Sequence, residues 1–378
     1  MIEFIVLKQS NKSRARLGLL CTPHGDVETP ALVPVATQAV IKTLTSQEVL
    51  ETKSQLLIAN TFHLHLKPGE VIIKRHKGLH TFMHWPRPLM TDSGGYQVFS
   101  LGFGSDYSTG KILKQKSETV VQSGQQPQKL KITDEGVWFR SPVDGTRLFI
   151  GPRESIKIQE ALGAEIIFAF DECTPPLADY DYTKTSLEKT HRWAKQCLDY
   201  KTSKQALFGI VQGGKYKDLR QISARLIGTL PFDGFGIGGE FGDNKKTMTQ
   251  MLRWALAELP SDKPRHLLGI GHLEDIPRII KEGVDIFDCT VPTHYARHGV
   301  AFTSTGKLTM SQVKFLKDKQ SLDRRCGCNV CQTYSRGYIC HLLKAKEITA
   351  LRLLTFHNLY FFNSYVESLR QQIRNEKF

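Results

Sequence analysis

The stretch Glu282–Thr303, EGVDIFDCTVPTHYARHGVAFT, decides how the rest of the chain is read. It opens on a short apolar strand, Val284-Asp285-Ile286-Phe287, and sets a carboxylate, Asp288, where that strand should end. Pro292 blocks simple continuation into a helix, since proline lacks the N–H and its ring crowds the preceding turn. A basic and aromatic loop is therefore expected next, with His294, Tyr295, Arg297 and His298. An Asp at a strand end often only serves a turn. Beside cationic and aromatic groups it also suits chemistry on a polyanion.

The same pattern, an apolar run closed by a small or polar residue, recurs along the chain. Ala31–Val35 precedes Thr37 and Gln38, Leu56–Ala59 precedes Asn60, and Leu89–Thr91 precedes Asp92. Ile166–Phe170 runs into Asp171, Phe208–Val211 into Gln212, Phe235–Ile237 into Gly238 and Gly239, and Leu267–Ile270 into Gly271. With Ile286–Phe287 that makes eight. Helical periodicity fills the intervals at Thr45–Thr52, Pro152–Leu162, Thr183–Tyr200, Tyr216–Ile227, Lys245–Leu259 and Leu273–Glu282. Near-continuous apolar strands alternating with helices imply parallel strands covered on both faces. Eight such units predict an α/β fold of the (β/α)₈ TIM-barrel type. An open doubly wound sheet would not bring the first and last strands around one pocket. In the barrel, Asn60, Asp92, Asp171, Gln212, Gly239 and Asp288 all fall at strand C-terminal ends, where such folds carry their chemistry.

Two excursions break the alternation. One spans residues 102–150 and includes SGQQPQKLKITDEGVWFRSPVDG (123–145), which reads as a hairpin with a long loop near 104–128. The other, Leu308–His357, carries a cysteine cluster, and Leu342–Ile373 after it reads as helix. The whole, residues 1–378, is expected to be one domain. Residues 1–300 form the barrel, and 301–360 an inserted C-terminal metal-binding subdomain whose last helix packs on the barrel.

Cys326, Cys328 and Cys331 place three thiols in six residues, too close for ordinary disulfide geometry and suited to Zn²⁺. Candidates for the fourth ligand are Cys340, His341 and His357. A closed set of this kind is structural, and contributes on the order of 10 kcal/mol of apparent folding free energy. The net charge of +14, from 51 Lys+Arg against 37 Asp+Glu, points to a polyanionic partner, nucleic acid first. There is no run of 18 apolar residues, so no membrane span is expected. Met1–Lys8 has no signal-peptide character, and the clustered cysteines fit a reducing cytoplasm.

Taken together, ANTFHLHLKPG (59–69), LHTFMHWPRPLMTDSGGYQVFSL (79–101), SPVDGT (141–146), AFDECTP (169–175), FGIVQGG (208–214), HLLGIGH (266–272), FDCTVPT (287–293) and CGCNVC (326–331) with a distant His357 resemble the tRNA-guanine transglycosylases, the queuine tRNA-ribosyltransferase family, in its bacterial anticodon-acting branch. The likeness runs roughly from Arg14 to Phe361. It implies exchange of the wobble guanine of GUN-anticodon tRNAs for a free 7-deazaguanine, in queuosine modification. By motif match, Asp288 is the nucleophile toward the ribose and Asp92 the general acid/base. Asp92, Ser93, Tyr96, Asp171, Gln212, Gly239 and Leu268 form the base pocket, and His294 and Arg297 meet the RNA. Cys326, Cys328, Cys331 and His357 hold one structural zinc per chain. The resemblance also implies a homodimer acting on the tRNA anticodon loop in the cytoplasm.

The chain departs from the family at His294, where bacterial relatives usually carry Arg, and in GGEFGDN (238–244). There Glu240 replaces Leu and Asn244 replaces Glu, and Gly242 stands where bacterial members usually have Val. A glycine at the pocket wall leads us to expect queuine or another bulky deazaguanine, in addition to or instead of the small aminomethyl-deazaguanine. Other readings fit the residues less well. A non-catalytic tRNA-binding partner subunit of the family should lack one of the key carboxylates, and this chain has both. A zinc-dependent barrel hydrolase needs an open metal site among the strand ends, whereas the thiols follow strand eight.

Overall fold

Eight parallel strands close into a barrel in the computed structural model, which describes residues 2–100, 130–175, 178–239 and 245–378. The loop at 104–128 and the departures at Glu240, Gly242 and Asn244 lie outside the described residues. The strands are β1 (Ala31–Ala36), β2 (Leu57–Ala59), β3 (Leu89–Thr91), β4 (Ile166–Phe168), β5 (Ala206–Val211), β6 (Gly234–Ile237), β7 (Arg265–Leu267) and β8 (Ile286–Cys289). Each pairs with its neighbour in chain order. The ring closes where Ile286–Cys289 of β8 runs beside Ala31–Pro34 of β1. The TIM barrel expected from the eight apolar runs is thus the fold observed.

Side chains of alternate residues fill the barrel, as the two-residue period of a strand requires. Val33, Ile58, Met90, Phe168, Phe208, Ile210 and Ile286 pack together inside it. Their neighbours, such as Leu57, Ile167, Leu207 and Phe287, join the larger core under the surrounding helices. The N-terminal end is capped by an antiparallel sheet of Glu3–Gln9, Arg16–Cys21 and Val27–Thr29, from which Leu20 and Val27 enter the inner cluster. Arg16 clamps this cap to the barrel. Its Nε and Nη2 donate to Asp285 at 2.8 and 2.6 Å, and the backbone N–H of Arg265 donates to the same carboxylate at 2.8 Å.

Between β3 and β4 the chain builds a small antiparallel sheet from Lys131–Ile132, Val137–Arg140 and Arg147–Ile150. The helix Pro152–Leu162 follows, with proline in its first turn. β3 and β4 share a single register pair, Met90 with Ile166. Gln159 of this helix bridges them instead. It donates Nε2 to the Phe168 carbonyl at 2.8 Å, while its Oε1 accepts from Phe168 N and from the Thr91 hydroxyl.

Three local expectations need correction. The segment after β8 is a helix, Val291–Arg297, not a loop, because Pro292 falls in the first turn, where its missing N–H costs nothing. β7 stops at Leu267 rather than Ile270, and Gly269 then adopts φ +73°, a left-handed backbone that breaks a strand. The C-terminal helix is two helices, Arg336–Lys344 and Ile348–Arg374, separated at Lys346, whose φ is +58°. The second, of 27 residues, is fastened to the barrel by buried asparagines. Asn363 donates to Thr52 O and Ser54 Oγ. Asn358 donates to Pro292 O and Val300 O and accepts from Phe302 N, each at 3.0 Å.

Candidate active site

The strand ends converge on a cavity of about 340 Å³. Asp92, Ser93, Tyr96, Asp171, Gln212, Gly239, Leu268 and Asp288 all line it, although they come from six different strand ends. Every residue that the sequence assigned to catalysis or to the base pocket is therefore brought to one space.

Asp288 lies within β8 rather than beyond it, in register with Val33 of β1. Its side chain is 14% exposed. Its Oδ1 accepts from the backbone N–H of Gly269 at 2.9 Å and lies 3.0 Å from Nε2 of the fully buried His266. Gly269 has a left-handed backbone, φ +73°, so the chain turns away directly after that N–H.

Asp92 directly follows β3. Asn60, at the end of β2, caps the helix Thr61–Leu66 with Oδ1 and donates Nδ2 to Asp92 Oδ2 at 2.5 Å. The N–H of Thr61 and that of Gly94 donate to Asp92 Oδ1 at 2.8 and 3.2 Å. A carboxylate held from three directions cannot swing away from the cavity.

Asp171 and Gln212, after β4 and β5, form the wall next to Asp92. Gln212 Nε2 donates to Asp171 Oδ2 at 2.6 Å, and Ser93 Oγ donates to Oδ1 at 3.4 Å. Both residues are buried, and Gln212 Oε1 has no hydrogen-bond partner among the described residues. Glycine is required beside it. A Cβ on Gly239, whose φ is +84°, would stand 2.5 Å from Gln212 Oε1, and one on Gly238 would stand 2.8 Å from Nε2. Tyr96 lines the cavity with its hydroxyl pKa pushed up to about 12, chiefly by burial and further by Cys173. It is a neutral aromatic surface at ordinary pH.

His294 and Arg297 sit on the helix after β8 and do not line the cavity. His294 is exposed, and its ring lies 4.4 Å from that of His298. Arg297 is half-buried and donates Nε to Thr293 O at 3.2 Å.

The cysteine cluster is separate from the cavity. Sγ of Cys326, Cys328 and Cys331 lie 3.8, 3.5 and 3.3 Å from Nδ1 of His357. Tetrahedral zinc, with Zn–S of about 2.3 Å and Zn–N of about 2.0 Å, sets sulfur and nitrogen roughly 3.6 Å apart. His357 donates Nε2–H to the Phe302 carbonyl at 2.8 Å, so Nδ1 presents its lone pair to the thiols. The other candidates for fourth ligand are engaged or misplaced. Cys340 bonds to Gln312 O, and His341 is exposed. The four residues can hold one metal ion, and their donor set and spacing fit zinc.

A second cluster, His24, His80 and Glu165, lies at the opposite end of the barrel, just before β4. Its two imidazoles stack, with centroids 3.7 Å apart and planes at 14°. Lone pairs lying in two parallel planes do not converge on one ion, and the cluster reads as a carboxylate shared between two histidines.

Sequence reasoning gave no role to His266 or Gln159, and saw Asn60 only as a strand end. For His266 a signal was present: the two-residue period of HLLGIGH points His266 and Leu268 inward when Leu267 points out.

Comparison with known proteins finds relatives along nearly the whole chain. A family model described as Queuine tRNA-ribosyltransferase matches residues 10–378. A queuine tRNA-ribosyltransferase of Halothermothrix orenii is 45% identical over 377 residues, covering 99% of this chain and 94% of the relative. That of Natranaerobius thermophilus is 44% identical over 381 residues, covering 100% and 96%. One from Staphylococcus aureus strain JH9 is 44% identical over 374 residues, covering 98% and 92%.

Proposed function

The chain belongs to the queuine tRNA-ribosyltransferase family and is a pentosyltransferase, and on that premise we propose that its cavity exchanges the wobble guanine of GUN-anticodon tRNAs for a free 7-deazaguanine. The observation that carries this reading is the meeting of Asp92 and Asp288, from the ends of β3 and β8, in one cavity with the polar side chains of Asp171 and Gln212.

In this reading a carboxylate oxygen of Asp288 bonds to the ribose anomeric carbon. The C1′–N bond breaks, its electron pair leaves with guanine, and Asp92 passes a proton to the departing base. The incoming deazaguanine gives its N–H proton back to Asp92 as its nitrogen displaces Asp288. Two inversions leave the ribose configuration unchanged, and nothing is oxidised. Asp171 accepts the base's N–H groups, Gln212 and the Gly239 N–H face its carbonyl oxygen, and Tyr96 stacks on its ring, with Ser93 and Leu268 beside it. Anticodon bases are already unpaired, which lowers the cost of flipping the target nucleotide into the cavity. Arg297 and His294, on the helix directly after Asp288, contact the neighbouring nucleotides. Zinc bound by Cys326, Cys328, Cys331 and His357 holds the subdomain together and takes no part in the chemistry. No helix among the described residues is long and apolar enough to cross a membrane. We place the reaction with the tRNA pool in the cytoplasm, in a homodimer.

The test is trapping of the covalent RNA–enzyme adduct on an anticodon-loop hairpin, with isotopic base exchange run in parallel. Wild type forms the adduct and Asp288→Ala does not; an adduct in that variant would falsify the nucleophile assignment. Exchange assayed with guanine, aminomethyl-deazaguanine and queuine decides the base. Gly242 leads us to expect incorporation of queuine, and exclusive use of the small base overturns that expectation.

A further inference from the structure

His266 occupies the boundary between the apolar filling of the barrel and its polar mouth. It is the middle residue of β7, in register with Gly236 and Ile286, and it is fully buried. Its ring rests against Phe168, at 5.3 Å between centroids and 59° between planes. Nε2 reaches Asp288 Oδ1 at 3.0 Å, whereas Nδ1 is buried with no hydrogen-bond partner among the described residues.

These contacts assign the proton. An ionised carboxylate only accepts, so the N–H belongs on Nε2. A second proton on Nδ1 would bury a charged donor against apolar side chains with nothing to receive it, which is costlier than burying a bare lone pair. We propose that His266 is a positioning residue that holds Asp288, as a neutral imidazole with its proton on Nε2, in the orientation needed for attack on ribose. This rests on the reading of Asp288 as nucleophile.

The neutral state matters for the chemistry. When Asp288 forms its bond to the anomeric carbon, its charge passes from −1 to zero. A charge-assisted bond from an imidazolium would be strongest to the unreacted carboxylate and would be lost as the bond forms. A neutral N–H fixes the same oxygen with less opposition to attack. The Gly269 N–H, also on Oδ1, supplies the second point that sets the carboxylate plane. Buried at the strand junction, His266 cannot turn aside. Its contribution is orientation, and a loss of orientation appears in the rate of the chemical step rather than in substrate binding.

Two measurements on the full-length enzyme test this. In the first, ¹⁵N-histidine-labelled protein is examined by NMR at about pH 7.5, with the His266 resonances identified by their disappearance in His266→Gln. A protonated Nε2 with an unprotonated Nδ1 supports the proposal; an imidazolium, or the Nδ1–H tautomer, overturns it. In the second, single-turnover formation of the RNA adduct is timed for His266→Phe and His266→Gln. The phenyl ring keeps bulk without a donor, and the amide restores one. Expected are a roughly 10–100-fold slower step in His266→Phe with KM for the hairpin within about twofold, and partial recovery in His266→Gln. Equal losses in both variants, or a wild-type rate in His266→Phe, overturn the proposal. If Asp288→Ala still forms the adduct, the nucleophile reading fails. If that adduct is absent and His266→Phe reacts at the wild-type rate, this inference alone fails. Either substitution removes the His266 resonances, so the NMR measurement needs only one of the two variants to fold.

Discussion

Gln212 donates its side-chain amide to Asp171 across 2.6 Å, so the two polar groups proposed to read the base occupy each other in the free enzyme. A purine that enters must take over the Asp171 end of this bond with its own N–H donors, which releases the Gln212 amide for the base's carbonyl oxygen. In the proposed reading, recognition is an exchange of hydrogen bonds, and a base lacking either partner leaves a buried group unpaired. Asp171→Asn presents an N–H where the base also presents one. Its KM for the free base should rise by about 100-fold or more, with adduct formation on the hairpin slowed as well. Base exchange at varied base concentration measures this, and an unchanged KM would remove Asp171 from the pocket's reading groups.

The metal cluster predicts a different phenotype. Three thiols and a histidine whose tautomer is set by the Phe302 carbonyl supply the four donors of a tetrahedral site, which would leave no position for water or substrate. Purified protein should contain about one zinc per chain. Cys331→Ala, or treatment with a strong chelator, should lower the melting temperature. Activity should be lost only as far as folded protein is lost, because Asn358, next to His357, ties this helix to Pro292 and Val300 beside β8. Loss of base exchange at full thermal stability, with return on adding metal, would instead place the ion in the chemistry.

How much of this is legible in the sequence follows from burial. Parallel barrel strands are covered on both faces, so each appears as a short apolar run, and the polar residue that ends it marks the mouth of the barrel. Asp92, Asp171, Gln212 and Asp288 could be read for that reason. The helix after β8 could not, because Pro292 carries the same sign whether it ends a segment or begins one. The break at Lys346 was hidden too, since a left-handed residue other than glycine leaves no mark in the pattern. His266 and Gln159 are polar residues on buried faces. Their purpose lies in partners far along the chain, Asp288 and Phe168, which periodicity does not connect.

Arg16 and Asp285 form the ion pair most shielded from water among the described pairs, with side chains 3% and 0% exposed. The bidentate pair joins the N-terminal cap to the residue just before β8, and Asp285 also accepts from Arg265 N. Removing one partner leaves a buried charge uncompensated, so Arg16→Ala or Asp285→Ala should destabilise by about 3–5 kcal/mol. Denaturant unfolding of the two variants and of the double variant tests this. The double variant should lose less than the sum of the single ones; strict additivity would mean that the pair is not coupled.

The last prediction concerns pH and the cluster at the other end of the barrel. His80 donates Nδ1–H to the Trp85 carbonyl at 2.9 Å, and its Nε2 lies 3.0 Å from Glu165 Oε2. With Nδ1 committed as a donor, a hydrogen bond to the carboxylate requires a second proton, that is, the imidazolium. Burial lowers the His80 pKa, but the hydrogen bond and charge of Glu165 outweigh it and raise it above the usual 6.5. Burial raises that of Glu165, and His80 and the Leu89 N–H outweigh it and hold it below the usual 4.5. The histidine's contribution to stability is therefore complete below its unfolded pKa and is lost as pH rises through the raised folded value. The glutamate's is complete above its unfolded pKa and is lost as pH falls through the lowered one. The pair stabilises most between these limits, at about pH 5–6. The difference in melting temperature between wild type and His80→Gln should be widest there and should narrow as pH rises past neutrality. His24 is stacked on His80 and bonded to the same carboxylate, so His24→Gln serves as the background in which the measurement is repeated. A difference that stays constant with pH in both backgrounds would mean that His80 acts through packing and not through charge.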